Sequence, residues 1–500
     1  MSPRKLFVSA VLVLALAVAL SLGAVAQDYD ALRARIKTHT LENGMKFIVF
    51  ERHDAPVVSF HVYADVGGAN ESYGITGISH ILEHMAFKGT TTVGTKDYAA
   101  ESKLLAEVDA AYDELAREKA KPLYDAKKID ELKAKFDGLE AKAKEYVVNN
   151  EYFDMMMREG DAGVNAYTSN DATQYINSLP SNKLEFWFAM TSDRFLNPVF
   201  REFFKERDVV MEERRLGLET RPTGKLMEDF VAVAFKAHPY RHGVIGHMSD
   251  LRNLTRGDVK EYFKTFYGPS NLTVGIVGDV KPEEVFKLAE LYFGRIPSEP
   301  RPEGVRTEEP EQWGERRVAV SAKSQPYLFI GYHVPDTRNK DSRALEALAN
   351  VLGQGRSSRL YTSLVKTKKI AVAAQSGSGF PGDKFSNLIV VMCVPAAGKT
   401  AAECLPAIEE EIEKIKKESV SEEELTKFKL GTIKGLYGQM ADNSSLAALL
   451  TYSDVVLGGF DKAFEQVEAI KAVTADDVKR VAATYLVNKN RTIGEIVPEK

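Results

Sequence analysis

Residues 255–275 read TRGDVKEYFKTFYGPSNLTVG, and residues 474–494 read TADDVKRVAATYLVNKNRTIG. At a constant offset of 219 positions, eight of these 21 residues are identical: Thr255/Thr474, Asp258/Asp477, Val259/Val478, Lys260/Lys479, Thr265/Thr484, Asn271/Asn490, Thr273/Thr492 and Gly275/Gly494. Each segment reads as a helix followed by an apolar strand, and each closes its half of the chain. A repeat of this size points to duplication of a whole domain rather than to a solenoid.

Within each half the pattern is strand pairs, then helices, then strands. Residues 47–50 are β-rich. In residues 57–66, Phe60, Val62, Ala64 and Val66 alternate with Ser59, His61, Tyr63 and Asp65, the period of a half-buried strand. His61 falls on the polar side, where solvent is the expected neighbour. Residues 327–334 and 388–394 repeat the pattern in the second half. Sheet-then-helix order implies an α+β fold of two related domains, not a doubly wound sheet. The division is residues 30–297, a linker at 298–316, and residues 317–500. Pro297 to Trp313 holds four prolines among mostly charged residues, the composition of an extended linker.

Residues 102–148 interrupt the first domain. Leu105, Val108, Tyr112 and Leu115 step by 3-4-3, and Ile129, Leu132, Phe136, Leu139, Ala143 and Tyr146 continue that heptad spacing. Lys121-Pro122 breaks the run, since proline ends a helix. An antiparallel helical hairpin is expected, serving as a spacer or a partner-docking arm.

The chemistry is carried by His80-Ile81-Leu82-Glu83-His84. On a helix, positions i, i+3 and i+4 share a face, so both imidazoles and the carboxylate point the same way. Two histidines at i, i+4 are half a tetrahedral zinc site, and the carboxylate between them suits a general base toward water. The order matches the inverzincin pattern H-x-x-E-H. Nine histidines and 71 acidic residues in 500 give roughly 0.02 chance matches. Ile78, Ile81, Leu82 and Met85 supply an apolar back, with Thr76 as the expected N-cap and Gly89 after the helix. In Glu206-Arg207-Asp208-Val209-Val210-Met211-Glu212-Glu213, seven residues make two turns. Glu206 and Glu213 therefore share a face that Glu212 does not.

These stretches resemble the pitrilysin (insulinase-like) family of zinc peptidases, which includes the mitochondrial processing peptidases. The resemblance rests on HILEH at 80–84, MAFKGT at 85–90, NAYTS at 165–169 with Asp171, Thr173 and Tyr175, and ERDVVMEERR at 206–215. HPY at 238–240, YGPSNLTVGIVGD at 267–279 and GRSSRLY at 355–361 extend it through both halves. It implies that His80, His84 and Glu213 hold one zinc ion per chain, that Glu83 is the base, and that Glu206 supports the site from behind. It also implies that Asn165, Ala166, Tyr167 and Thr168 form an edge strand pairing with the substrate main chain, a mode tolerant of many sequences. Many active relatives carry an Arg and a Tyr seven residues apart that bind substrate and stabilise the oxyanion. Here Val365 and Val372 occupy those positions, with Lys366 and Arg359 the neighbouring cations. In two-chain relatives a paralogue without zinc supplies the pair. The expectation is a heterodimer of that kind, otherwise a homodimer, hydrolysing peptides or small unfolded polypeptides. The alternative is a non-catalytic scaffold subunit on the same fold.

Composition is that of ordinary globular protein, 44% hydrophobic and 27% charged with a net charge of −5, and gives no reason to expect nucleic acid. Arg4 and Lys5 precede an uncharged run from Leu6 to Ala26 that ends Ala24-Val25-Ala26. This reads as a signal peptide, residues 1–26, cleaved before Gln27, with an uncleaved anchor as the alternative. The expected location is periplasmic or extracellular, with no membrane contact after cleavage. Cys393 and Cys404 read as two buried small hydrophobes rather than a disulfide framework.

Overall fold

The computed structural model describes residues 32–499. The export segment read from residues 1–26 lies outside the described residues. Strands β1 (Ile36–Thr40), β2 (Lys46–Glu51), β3 (Val57–Ala64), β4 (Asn165–Thr168), β5 (Thr173–Pro180) and β6 (Leu272–Gly278) form one sheet in the order β1-β2-β6-β3-β5-β4. Strands β7 (Arg316–Ala322), β8 (Tyr327–Val334), β9 (Ala371–Phe380), β10 (Asn387–Pro395) and β11 (Arg491–Pro498) form a second in the order β7-β11-β8-β10-β9. The duplication is visible in the pairing. β6 is parallel to β2 and antiparallel to β3, as β11 is parallel to β7 and antiparallel to β8. Both sheets are mixed and are layered with helices, an α+β architecture.

The helices used below are α1 (Ile78–Met85), α2 (Tyr98–Lys119), α3 (Ala126–Lys144), α4 (Phe203–Arg214), α5 (Pro222–Ala234), α6 (Arg256–Phe266), α7 (Asn443–Leu457) and α8 (Ala475–Tyr485). The repeated residues do the same work twice. Thr255 and Asp258 make a capping box on α6, and Thr474 and Asp477 make one on α8. Such caps satisfy amide groups that a helix start leaves without partners. The Asn271 side chain donates to the Phe266 carbonyl at 2.9 Å, and Asn490 donates to the Tyr485 carbonyl at 2.9 Å.

The repeated glycines mark where the halves exchange a helix. At Gly275 in β6, a Cβ would lie 2.7 Å from the Ala447 carbonyl oxygen of α7. At Gly494 in β11, it would lie 2.9 Å from the Phe230 ring of α5. So α7, from the second half, packs on β3 and β6, while α5, from the first half, packs on β7 and β11. Ile48, Phe50 and Val277 share a core with Leu446, Ala447 and Leu450. This exchange corrects the expectation for His61. The face it points to is covered by α7, so His61 is fully buried and its Nδ1 lies 2.7 Å from Thr451 Oγ1. Burial depresses its pKa to about 4.

The heptad spacing yields the hairpin, with α2 packed along α3 and Asp125 capping α3. Val108, Leu115, Phe136 and Ala143 are buried on its apolar stripe. It leans on α4: the Phe204 ring sits 4.5 Å from Tyr112 and 5.0 Å from Phe136. The proline-rich segment between the sheets has no regular structure, yet it is tied down. Glu309 accepts the N–H groups of Lys236, Ala237 and His238 at 2.7, 2.9 and 3.1 Å.

The close crossing at β6 has a measurable consequence. Gly275→Ala forces a methyl against a backbone carbonyl and should cost about 1–3 kcal/mol in urea unfolding. Gly138→Ala, on α3 with nothing within 4 Å, should gain about 0.5–1 kcal/mol from helix propensity. Equal stabilities for wild type and Gly275→Ala would show that α7 does not cross there.

Candidate metal centre

Helix α1 buries Ile78, Ile81, Leu82 and Met85 and leaves His80, Glu83 and His84 partly exposed on the other side. Its start differs from the sequence expectation. Gly77, at φ +90°, is the N-cap, and Thr76 turns its hydroxyl to Asp250 at 2.6 Å. The first amides are instead satisfied by Glu71, which accepts from Gly77 at 2.7 Å and Ser79 at 2.8 Å. Burial pushes the Glu71 carboxyl up to about 8, against those two donors. Glu71 lies six residues before Gly77, too far for a local capping pattern to expose it.

Helix α4 lies beside α1 and brings Glu213 to the histidines. Glu213 Oε2 is 3.8 Å from His80 Nε2 and 3.8 Å from His84 Nε2. One ligand atom from each of the three residues falls within 4.8 Å of the others. Two imidazole nitrogens and a carboxylate oxygen are a zinc donor set, and ligands about 2.0–2.1 Å from one centre sit roughly 3.4 Å apart. The residues therefore fit such an ion. Burial, then the neighbouring His84, lowers the His80 pKa to about 4, which keeps that ring neutral. His80 Nδ1 is buried without a protein partner. Glu212 points away and pairs with Arg215 at 2.9 Å.

Behind His84 stands Glu206, its Oε2 3.5 Å from His84 Nδ1 and its Oε1 2.5 Å from Lys88 Nζ. Burial raises the Glu206 carboxyl, but contacts with His84 and Lys88 outweigh it and hold the pKa at about 2. Lys88 also reaches Glu202 at 3.3 Å. The sequence reading assigned Lys88 no role; its signal is a cation one turn past the second histidine. The turn after α1 is braced by Arg201, whose guanidinium donates to the carbonyls of Lys88, Thr90 and Val93 and pairs with Glu101 at 2.8 Å.

Strand β4 is an edge strand, paired among the described residues only with β5. Asn165 and Tyr167 face solvent and Ala166 packs into the core. Thr168 donates its hydroxyl to Glu83 Oε2 at 2.6 Å, so it meets the carboxylate of α1. Burial raises the Glu83 pKa while this hydrogen bond opposes the rise. The turn after β4 is held within the first half and pinned to the second: Asp171 accepts the Tyr240 hydroxyl from the first and the Asp383 amide from the second, the latter at 3.0 Å.

Among the described residues, the second half offers no matching site. Its one histidine, His333, caps a carbonyl of α5. Val365 is half-buried in the π-helical segment Tyr361–Thr367, and Val372 is exposed on the edge strand β9. Arg359 is committed to Glu424 at 2.7 and 2.9 Å, and Lys366 lies over the Tyr361 ring. Cys393 and Cys404 are buried free thiols.

Comparisons with known proteins bear on the family of the chain. Residues 47–118 match the family model described as Insulinase (Peptidase family M16), and residues 253–431 match Peptidase M16 inactive domain, together half of the chain. A zinc protease of Helicobacter pylori named PqqE is 28% identical over 421 residues, covering 82% of this chain and 81% of that protein. A chain of Arabidopsis thaliana named probable mitochondrial-processing peptidase subunit beta is 23% identical, over 92% of this chain and 78% of its own length. The crystal structure of a protease from Helicobacter pylori superposes with a TM-score of 0.77 at 26% identity, covering 93% of this chain and 99% of that one. With two M16 models matched in order, relatives matched over most of their length and the same fold, the chain belongs to peptidase family M16, the insulinase or pitrilysin family.

Proposed function

We propose that this chain is an exported zinc-dependent endopeptidase acting on peptides or small unfolded polypeptides, as one half of a two-chain clamshell. The observation that carries the reading is the convergence of His80, His84 and Glu213 within 4.8 Å, with Glu83 on the same helix face. The relatives' names, zinc protease and processing-peptidase subunit, support it. Bound there, zinc would lower the pKa of water toward about 7 and polarise the scissile carbonyl.

The chain's own residues account for the rest. Glu83, its Oε2 held by Thr168, uses its other oxygen to take the proton of the attacking water and then passes it to the leaving amine. Glu206, with Oε2 3.5 Å from His84 Nδ1, is placed to take an Nδ1–H and so to present Nε2 forward, the orientation a metal-bound histidine needs. The free edge of β4 receives the peptide main chain. A chain processed to begin at Gln27 would meet such substrates outside the cytoplasm. No helix among the described residues is long and apolar enough to cross a membrane.

Metal analysis and peptide cleavage test the core of this reading. One zinc per chain is expected. Glu213→Gln should lose it, Glu212→Gln should keep metal and activity, and Glu83→Gln should keep zinc while activity falls about 10²–10⁴-fold. Turnover retained in Glu83→Gln would remove Glu83 as the base.

Lys88 holds Glu206, so Lys88→Met should weaken zinc retention by about 10–100-fold in competition with a chelator. Lys88→Arg should restore most of that loss. Unchanged retention in Lys88→Met would make the Lys88–Glu206 pair incidental.

The valines at 365 and 372 cannot donate hydrogen bonds. A missing oxyanion donor costs about 10²–10³ in rate. Adding a paralogue that lacks H-x-x-E-H and carries the Arg/Tyr pair should therefore raise cleavage by that order. Full activity from this chain alone argues against the partner, and zinc loading without cleavage in any assembly favours the scaffold reading.

A further inference from the structure

The chain holds two cysteines in 500 residues, and the fold brings their side chains together. On β10, Ile389, Val391 and Cys393 alternate toward the helix layer and are fully buried. In the helix Ala401–Lys417, Ala401, Cys404 and Ile408 recur at helical spacing and belong to the same core. Cys404 stands in the first turn of that helix. The two thiols are hydrogen-bonded to each other, and Cys404 also donates to the Ile370 carbonyl at 3.4 Å. Two small apolar fillers have no need to touch. A buried residue meets about 6–12 others, and here each cysteine meets the only other one in the chain.

The connection between them is short and already fixed. The Ala396 amide donates to the Ile370 carbonyl at 2.9 Å, the Lys399 amide donates to Ala396, and Thr400 caps the helix. A bond between the sulfurs removes both thiol protons. The Ile370 carbonyl then loses Cys404 but keeps Ala396, so the change leaves no buried acceptor without a partner.

We propose that Cys393 and Cys404 join in an intramolecular disulfide as the chain folds outside the reducing cytoplasm, tying the end of β10 to the first turn of the next helix. The oxidant is a small-molecule disulfide of the glutathione type. One cysteine thiolate attacks it, forming a mixed disulfide and releasing one glutathione thiol. The second cysteine thiolate then attacks the protein sulfur of the mixed disulfide and releases the other. Two protein thiols are oxidised to one disulfide, and one glutathione disulfide is reduced to two thiols, which carry off both protons. Both sulfurs are fully buried in the folded chain, so the exchange takes place before this helix docks on β10. The finished bond is then shut away from reductants, as a structural disulfide is. Only the compartment in which the oxidant is met rests on the export reading of residues 1–26; the chemistry of the pair does not.

The test reads the sulfurs of the full chain. Unfolded in denaturant and refolded against glutathione disulfide, the protein should become lighter by two hydrogens and show no titratable thiol when unfolded again. Trypsin should then release residues 385–399 and 400–414 linked as one species. A dithiol should reduce the folded, oxidised protein at least about tenfold more slowly than the same protein in denaturant. Cys393→Ala, kept unfolded with the same oxidant, should instead gain one glutathione, which shows that the oxidant reaches Cys404. Two free thiols in the refolded wild type, a glutathione retained on either sulfur, or a bond between two chains overturns the proposal. Equal reduction rates with and without denaturant also overturn it, because the bond would then lie at the surface.

Discussion

The Arg201 guanidinium, 1% exposed, donates from all three of its nitrogens: to both oxygens of the buried Glu101 and to the carbonyls of Lys88, Thr90 and Val93. Three elements meet at this residue. Glu101 begins the hairpin, the three carbonyls belong to the turn that follows α1, and Arg201 itself stands two residues before α4. The distance between α1 and α4 decides whether Glu213 can approach one ion together with His80 and His84. A buried charge with all its donors satisfied is tolerable; removing one partner from such a pair costs about 3–5 kcal/mol, because the other is left uncompensated. The hairpin is thus coupled to the site from behind, through Glu101 and through Tyr112 and Phe136 against Phe204.

The residues legible in the sequence were those whose positions follow from one element's own periodicity. The phase of α1 put His80, Glu83 and His84 together, and two turns of α4 turned Glu213 inward and Glu212 outward. The offset of 219 positions announced the duplicated helix–strand unit, down to the capping boxes and the asparagines that close each unit. What the sequence did not disclose depends on residues far away in the chain. His61 looked solvent-facing because its own strand alternates; α7, almost 400 residues later, covers it. Thr76 looked like a cap, but Asp250 takes its hydroxyl and Glu71 does the capping. Lys88 is an ordinary lysine until α4 sets Glu206 beside it.

The exchange of α5 and α7 gives the second half a role that needs no metal ligand. Each sheet is closed by a helix from the opposite half, and the glycines that permit this are the same glycine of the repeat. Each sheet loses the cover of one face if the other half is removed: Ile48, Phe50 and Val277 would lose Leu446, Ala447 and Leu450, and Phe329 and Ile496 would lose Leu226 and Phe230. The second half holds a single histidine, and the M16 inactive-domain model matches residues 253–431, which span the end of the first half, the linker and much of the second.

The coupling of the halves also reaches the strand beside Glu83. β4 is only four residues long, and an edge strand of that length has one neighbour to hold it. Its C-terminal turn is fastened across the halves, Asp171 binding Tyr240 and the Asp383 and Lys384 amides, while Tyr452 at the far side binds Asp383. Burial raises the pKa of both Asp171 and Asp383, so each carboxylate depends on those hydrogen bonds to stay charged in place. Thr168 sits three residues before Asp171 and donates to Glu83. A displacement of the second half would be passed through this turn to the hydroxyl that orients the proposed base. The second half thus holds the strand that meets one side of the candidate metal centre, while the hairpin and Arg201 hold the other.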